Sequence, residues 1–502
     1  MIKIIDCGSQ LTQNIARRLY EAGVRPQIVP YHTPMAKILA DHPEGLIVSG
    51  GQYSVHDNQA PFYDPALFSC GLPVLGICYG MQSMAHLLKG QVGKGREYGE
   101  TRVELEGESP LFQGLPPQSV VWMSHGDVVE VLPEGFKITA RTQNGYAAAM
   151  ERENLFAVQF HPEVDHSRYG REILNNFINI CGAQEDWSRE NFIAETVRHI
   201  RETVGDKKAV GGVSGGVDST VAAILLSQAL GENFHPIFVN NGLLRKNEAE
   251  WVQEKLRPHL KNLIYVDASR QFLDKLAGVA DPDRKRQIIG HEFIEVFQKA
   301  AEGIPGVEYL LQGTLYPDVI ESVAVHGASS KIKRHHNVGG LPEKMGLKLI
   351  EPFRTLFKDE VREVGESLGL PKELLWRHPF PGPGLAVRVL GQVSEPSLAL
   401  LREADAIFLE ELHNRGLYYQ IQQAFAVLTN AGAVGVMGDE GNYQRVVALR
   451  AVTTNDFMTA DWFEFSKADL SAIANRIINE VPGVNRVVYD LTQKPPGTIE
   501  WE

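Results

Sequence analysis

Ser214-Gly215-Gly216-Val217-Asp218-Ser219 restricts the fold of this chain more than any other stretch. Lys207-Lys208-Ala209-Val210-Gly211-Gly212-Val213 leads into it as a short apolar strand, and Thr220-Val221-Ala222-Ala223-Ile224-Leu225-Leu226 leads out as a helix. Gly215 and Gly216 let successive backbone N–H groups turn toward one anion at the positive end of that helix. Ser214 and Ser219 add hydroxyls, and Asp218 is placed to hold Mg²⁺ against phosphates. No lysine stands at the helix entrance, and the spacing Gly-x-x-x-x-Gly-Lys-Ser/Thr is absent, so the parts for γ-phosphate transfer are missing. A strand feeding a phosphate-binding helix belongs to a doubly wound α/β sheet.

The same pattern continues on both sides. Strand candidates Pro236 to Val239, Leu263 to Val266 and Tyr309 to Gln312 extend this block over residues 189–377. Upstream, residues 1–182 are expected to alternate strands (Met1 to Asp6, Leu46 to Val48, Val74 to Ile77) with helices such as Asn14 to Leu19. Gly182-Ala183-Gln184-Glu185-Asp186 reads as a linker. His378-Pro379-Phe380-Pro381-Gly382-Pro383-Gly384 cannot continue a helix or a central strand, so a third, small α+β domain is expected over 378–502. Its elements are a helix from Leu398 to Leu412 and strands Val446 to Val452 and Arg486 to Asp490. A length of 502 residues agrees with three domains of ordinary size.

Composition narrows the setting. No apolar run approaches the roughly 20 residues of a membrane span, and the N-terminus shows no cleavage site. Cys7, Cys70, Cys78 and Cys181 are too scattered for a disulfide framework or a zinc cluster, which makes the cytoplasm the default location. A net charge of -13 argues against a general nucleic-acid surface.

A second chemistry lies in the first domain. Gly76-Ile77-Cys78-Tyr79-Gly80 sits between an apolar strand and the helix beginning Met81-Gln82-Ser83-Met84. Glycines two residues either side of a nucleophile permit a sharp strand-to-helix turn, and a helix N-terminus favours the thiolate. A lone cytosolic cysteine is more often a small buried apolar residue. Gln159-Phe160-His161-Pro162-Glu163 shifts that balance, because an extended strand puts His161 and Glu163 on one side. His161 can take the thiol proton, and Glu163 can orient the imidazole.

Together these two segments resemble class I glutamine amidotransferases, and the Ser214–Ser219 loop resembles that of the N-type ATP pyrophosphatases, which cleave ATP between the α- and β-phosphates to adenylylate a substrate oxygen. The first resemblance implies attack of Cys78 on the glutamine side-chain amide, release of ammonia and hydrolysis of a thioester. Backbone donors for the oxyanion are expected from Gly50, Gly51 and Tyr79. Gln52 stands where that family usually has proline. The second resemblance implies that Ser214, Gly215, Gly216, Val217, Asp218, Ser219, Thr220 and Lys358 hold ATP or its pyrophosphate, that Asp218 holds Mg²⁺, and that Val239 and Gly313 frame adenine. Asn240 stands where aspartate is common, so no metal role is carried to it.

The domain order, and four long strings, resemble the glutamine-hydrolysing GMP synthetase family over essentially the whole chain. The strings are Val121 to Asp127, Gly313 to Ser322, His335 to Pro342 and Lys494 to Glu502. This implies xanthosine 5′-monophosphate (XMP) as acceptor, its 2-oxo group adenylylated and then displaced by ammonia. Arg286, Gln423, Lys494, Ile499 and Glu500 match substrate contacts of the family, residues 378–502 match its dimerisation domain, and a homodimer is implied. The segment Gly327 to Gly340, with Lys331, Lys333, Arg334, His335 and His336, reads as a basic lid over anionic substrates. Asparagine synthetases also pair a glutaminase with an ATP pyrophosphatase, but use an N-terminal cysteine, whereas the cysteine turn here is at 78. NAD synthetases leave the tail Lys494 to Glu502 unaccounted for.

Overall fold

The computed structural model describes residues 1–9, 11–183, 188–315, 318, 346–437, 440–454, 457 and 459–502. The expected lid, 327–340, and part of the expected linker lie outside the described residues. The chain forms two compact units, Met1–Phe192 and Ile193–Glu502.

In the first unit, β1 (Ile2–Asp6), α1 (Thr12–Glu21), β2 (Pro26–Pro30), α2 (Met35–Leu39), β3 (Gly45–Val48), β4 (Val74–Ile77) and α3 (Tyr79–Leu87) follow the expected alternation. Strands β3 and β4 are buried throughout, as continuous apolar runs in a parallel sheet are. Helix α1 buries Ile15, Ala16, Leu19 and Tyr20 on one face. The alternation then stops. Strands β5 (Gln91–Leu105), β6 (Gln118–Val131), β7 (Lys137–Thr142), β8 (Ala147–Arg152) and β9 (Leu155–Val158) succeed one another without an α-helix, and α4 (Gly170–Cys181) closes the unit. The nine strands form one sheet in the order β2-β1-β3-β4-β9-β8-β7-β5-β6. It is parallel from β2 to β9 and antiparallel beyond. The cause is legible in β5, whose buried and exposed residues interleave. A sheet with one wetted face can be antiparallel and needs no covering helices there.

Helix α5 (Arg189–Val204) crosses into the second unit. There β10 (Lys208–Gly212), α6 (Val217–Leu230), β11 (Phe234–Asn240), α7 (Glu248–Leu256), β12 (Ile264–Asp267), α8 (Ser269–Leu276), α9 (Pro282–Glu302), β13 (Val307–Leu311) and β14 (Lys348–Ile350) build a sheet in the order β12-β11-β10-β13-β14. All its pairings are parallel. Helix α6 is buried almost all round, as a helix enclosed on several sides must be. Strand order reverses between β10 and β13, the place where ligands bind outside the carboxyl ends of such a sheet.

Next come α10 (Lys358–Ser367), α11 (Lys372–Leu375) and α12 (Glu395–Asn414), then β15 (Gln423–Met437), β16 (Glu440–Thr453), β17 (Asp461–Trp462), α13 (Lys467–Glu480) and β18 (Val484–Tyr489). Strand β16 pairs antiparallel with β15 and β17 and parallel with β18. One core joins residues from both sides of position 377, among them Val210, Ile237 and Phe297 with Leu385, Phe408 and Leu449. The proline-rich stretch therefore interrupts the secondary structure without dividing the hydrophobic core. No helix among the described residues is long and apolar enough to cross a membrane.

Candidate active sites

Cys78 is the hinge between β4 and α3. Its φ of 52° and ψ of -105° lie outside the regions that L-residues favour, so surrounding packing must hold it there. Glycine is required on both sides for steric reasons. A β-carbon at Gly76 would lie 2.6 Å from the Gly80 carbonyl oxygen, and one at Gly80 would lie 2.4 Å from that of Val48. The turn therefore closes only with hydrogen at both positions. The Cys78 amide donates to the Val158 carbonyl at 2.8 Å, tying the turn to β9. Cys78 Sγ faces the Ser124 carbonyl at 3.8 Å and Gln159 Nε2 at 3.7 Å, which brings the string Val121 to Asp127 to the nucleophile.

His161 and Glu163 meet as expected, but not on a strand. β9 ends at Val158, and the pair lies in the turn that follows. Pro162 between them has no N–H to give to a ladder. His161 Nδ1 and Glu163 Oε1 are 2.8 Å apart, and both residues are buried. Ser167 Oγ donates to the His161 carbonyl at 2.6 Å, and the Glu163 carbonyl accepts from Arg18 Nε at 3.2 Å, which pins the turn from two sides. Burial opposes charge on the imidazole. The Glu163 carboxylate and the Cys78 sulfur outweigh that penalty and hold the His161 pKa well above the usual range. Gly50 borders both groups, since a β-carbon there would lie 3.2 Å from His161 Cε1 and 3.7 Å from Cys78 Cβ. Gly51 packs against the Cys7 carbonyl, and Tyr79, as the first residue of α3, has an N–H with no intrahelical acceptor. Gly50 thus lies beside the nucleophile and Tyr79 follows it in the chain, while Gly51 packs against Cys7 and the Tyr79 ring. The chemistry available here is proton transfer between thiol and imidazole, with a fixed carboxylate behind.

In the second unit the Ser214–Ser219 loop follows β10, and Gly313 follows β13, at the switch point. A β-carbon at Gly313 would come within 3.5 Å of the Asp218 backbone, so the two loops touch. Ser219 Oγ and Ser214 Oγ are 3.0 Å apart, and Ser219 Oγ also meets the Ser214 amide and the Gly216 carbonyl. The two hydroxyls therefore also brace the loop from within. Burial pushes the Asp218 carboxyl up, against the pull of Lys358, whose Nζ lies 3.9 Å from Asp218 Oδ2. Asp218 Oδ1 and Thr220 Oγ1 are buried and have no hydrogen-bond partner among the described residues. The orphaned carboxylate oxygen fits a bound cation, while the helix N-terminus beside it fits an anion. Val239 lies near the end of β11, and the adjacent Asn240 is occupied by Tyr265 Oη and the Gly242 amide.

Of the residues expected to bind XMP, Gln423 and Glu500 are brought together, at 2.7 Å. Lys494 Nζ donates to the Phe457 carbonyl at 2.6 Å, and Ile499 is packed with Phe425, Val427 and Ala460. Arg286 is half-buried on α9 and pairs with Asp283 at 3.2 Å. Sequence reasoning missed what anchors this region. Arg388, fully buried, holds Glu500 through Nε and Nη2 at 3.1 and 2.7 Å. Lys285, also fully buried, donates to Glu502 and to the Ala386 and Val389 carbonyls. Gln159 and Arg377 were likewise not singled out. Arg388 lies inside the apolar run Leu385-Ala386-Val387-Arg388-Val389-Leu390, whereas Lys285, between Arg284 and Arg286, carries no local signal of its burial.

A glutamine amidotransferase class-I family model matches residues 3–181, an NAD synthase model matches 188–261, and a GMP synthase C terminal domain model matches 410–501. The glutamine-hydrolyzing GMP synthase of Carboxydothermus hydrogenoformans is 54% identical over 505 residues, covering 99% of this chain and 99% of that protein. The protein of the same name from Aquifex aeolicus is 53% identical over 506 residues, covering 100% and 99%. That of Kluyveromyces lactis is 53% identical over 514 residues, covering 100% and 98%.

Proposed function

From a chain that belongs to the glutamine-hydrolysing GMP synthase family, we infer an enzyme that aminates XMP to GMP, takes its nitrogen from glutamine, and cleaves ATP to AMP and pyrophosphate. One observation carries the reading: the buried Cys78–His161–Glu163 constellation and the lysine-free phosphate loop at a sheet switch point lie on the same chain.

In the first unit His161 takes the Cys78 proton as sulfur attacks the glutamine carboxamide carbon. The oxyanion forms beside the amides of Gly50, Gly51 and Tyr79. His161 then gives its proton to the leaving nitrogen, ammonia departs, and water releases glutamate from the thioester. In the second unit the 2-oxo oxygen of XMP attacks the ATP α-phosphorus, and pyrophosphate departs toward the Ser214–Ser219 amides and Lys358. Ammonia displaces AMP from C2 of the adenylylated purine. Asp218 would hold Mg²⁺, which neutralises charge on the phosphates when bound; Val239 and Gly313 frame adenine. Arg286, Gln423, Lys494, Ile499 and Glu500 take the XMP side. The functional segments are 1–182, 189–377 and 378–502, the last also forming a homodimer, and the enzyme works in the cytoplasm.

The test is transfer of label. Glutamine carrying ¹⁵N in its side-chain amide, with XMP, ATP and Mg²⁺, is expected to place ¹⁵N on the 2-amino group of GMP, with equal yields of AMP and pyrophosphate. ADP as the product, or ATP consumption with UMP or aspartate and no GMP, contradicts the reading.

A further inference from the structure

Gly215 occupies the centre of the phosphate loop with φ of 76°, a conformation open to glycine, and a β-carbon there would lie 2.7 Å from Val252 Cγ2 on α7. A loop that presents amides to an anion must send its carbonyls elsewhere, because a carbonyl facing the same anion repels it. The Gly215 carbonyl accepts a hydrogen bond from Arg377 Nη1 at 2.9 Å. Arg377 is itself held on two further sides. Nη2 pairs with the buried carboxylate of Glu248, and the guanidinium lies 4.6 Å from the Trp251 ring centroid. Glu248 is fixed in turn by the Arg245 amide at 2.9 Å. Beside this group opens a cavity of about 490 Å³, whose lining includes Arg377, Glu248, Trp251 and Tyr418.

We propose that Arg377 is a positioning residue for adenylylation: from a seat built of Glu248 and Trp251 it holds the Gly215 carbonyl away from the anion, so that the loop's amides face the departing pyrophosphate. The inference rests on the pyrophosphate role of the loop given above. A guanidinium suits the task because its planar fork serves the carbonyl and the carboxylate at once, which a single ammonium cannot do with the same geometry. Its effect falls on the step in which charge builds on the leaving group. It does not extend to XMP binding or to the Cys78 chemistry.

The test uses the full-length enzyme with ammonium as nitrogen source, in wild type, Arg377→Met, Arg377→Lys and Glu248→Gln. Misplacing a reacting group by an ångström costs up to about a hundredfold, so Arg377→Met is expected to lower kcat for GMP formation by about 10- to 100-fold. Product inhibition by pyrophosphate weakens with it, while KM for XMP and the basal glutaminase rate stay at wild-type values. Arg377→Lys and Glu248→Gln fall between. Methylguanidine, small enough for the neighbouring cavity, restores part of the lost rate to Arg377→Met and does nothing for wild type. If wild type forms no GMP from XMP, the functional reading fails. If wild type forms GMP and Arg377→Met equals it in kcat and pyrophosphate inhibition, the positioning role alone is overturned. A loss shared by glutaminase and XMP binding, unrescued by methylguanidine, overturns it as well.

Discussion

Lys358 Nζ stands 3.9 Å from Asp218 Oδ2, while the other oxygen of that carboxylate is buried without a partner among the described residues. The lysine belongs to the first turn of α10 and the aspartate to the first turn of α6, so two helix starts converge on one charge pair. Burial raises the Asp218 pKa against the pull of Lys358, and the orphan oxygen leaves capacity for a cation.

Asp218→Ala is therefore expected to abolish GMP formation from either glutamine or ammonium, while basal glutamine hydrolysis at Cys78 persists. The measurement is GMP and glutamate release from the same preparation. GMP formation by the variant with added ammonium contradicts the assignment of the loop.

Glu163→Gln keeps a hydrogen-bonding group 2.8 Å from His161 Nδ1 but removes the charge that sustains the imidazolium. Loss of such a carboxylate behind a catalytic histidine lowers turnover by about 10² to 10⁴. That loss is expected in the glutamine-dependent rate, with the ammonium-dependent rate unchanged. Equal losses in both contradict the role given to Glu163.

Gly80→Ala places a methyl group 2.4 Å from the Val48 carbonyl oxygen. Overpacking of this kind costs about 1–3 kcal/mol, and here the neighbour is backbone rather than a side chain that can turn away. The variant is expected to unfold earlier in urea and to lose glutaminase activity. An unchanged transition with full activity contradicts the close approach of α3 to β3.

His378 supplies a pH dependence. Its Nδ1 accepts from the Ala424 amide at 3.1 Å and its Nε2 meets the Tyr418 carbonyl at 2.9 Å, so the folded ring is neutral with its proton on Nε2. Burial lowers its pKa from 6.5 to about 4. The unfolded chain binds the proton first, so stability is retained above pH 6.5 and falls as pH drops toward 4, by about 3 kcal/mol in all. His378→Gln is expected to show a flatter decline in urea midpoint across that interval. Parallel curves contradict the assignment.

What the sequence made legible was local chemistry. The Cys78 turn and the Ser214–Ser219 loop are each set by contiguous residues whose glycines, apolar flanks and polar side chains act within one strand-to-helix turn. Positions that depend on distant partners were not legible. Gly215 meets Arg377 and Lys285 meets Glu502 only after the fold has formed, and neither cation has a local pattern that distinguishes it from a solvated charge. The antiparallel block from β5 to β9 was missed because its long strand β5 carries glycines and charged residues that blur the apolar and polar alternation, and short strands such as Leu155–Val158 carry no period of their own. His161 and Glu163 were paired correctly from a strand that does not exist there, because a turn around Pro162 brings them equally close.

The central claim is that one thiol supplies nitrogen to a separate adenylylating site. The most direct measurement is the initial rate of GMP formation from XMP, ATP and Mg²⁺ in wild type and Cys78→Ala, with glutamine or with ammonium, across pH. Removing a small side chain from this turn costs little stability beside truncation of a core leucine, so the two proteins can be compared at matched thermal stability. Cys78→Ala is expected to make no GMP from glutamine and to equal wild type with ammonium, more strongly as pH rises toward the ammonium pKa and neutral ammonia accumulates. Equal loss with glutamine and with ammonium would contradict the account, because Cys78 would then serve the structure rather than the supply of nitrogen.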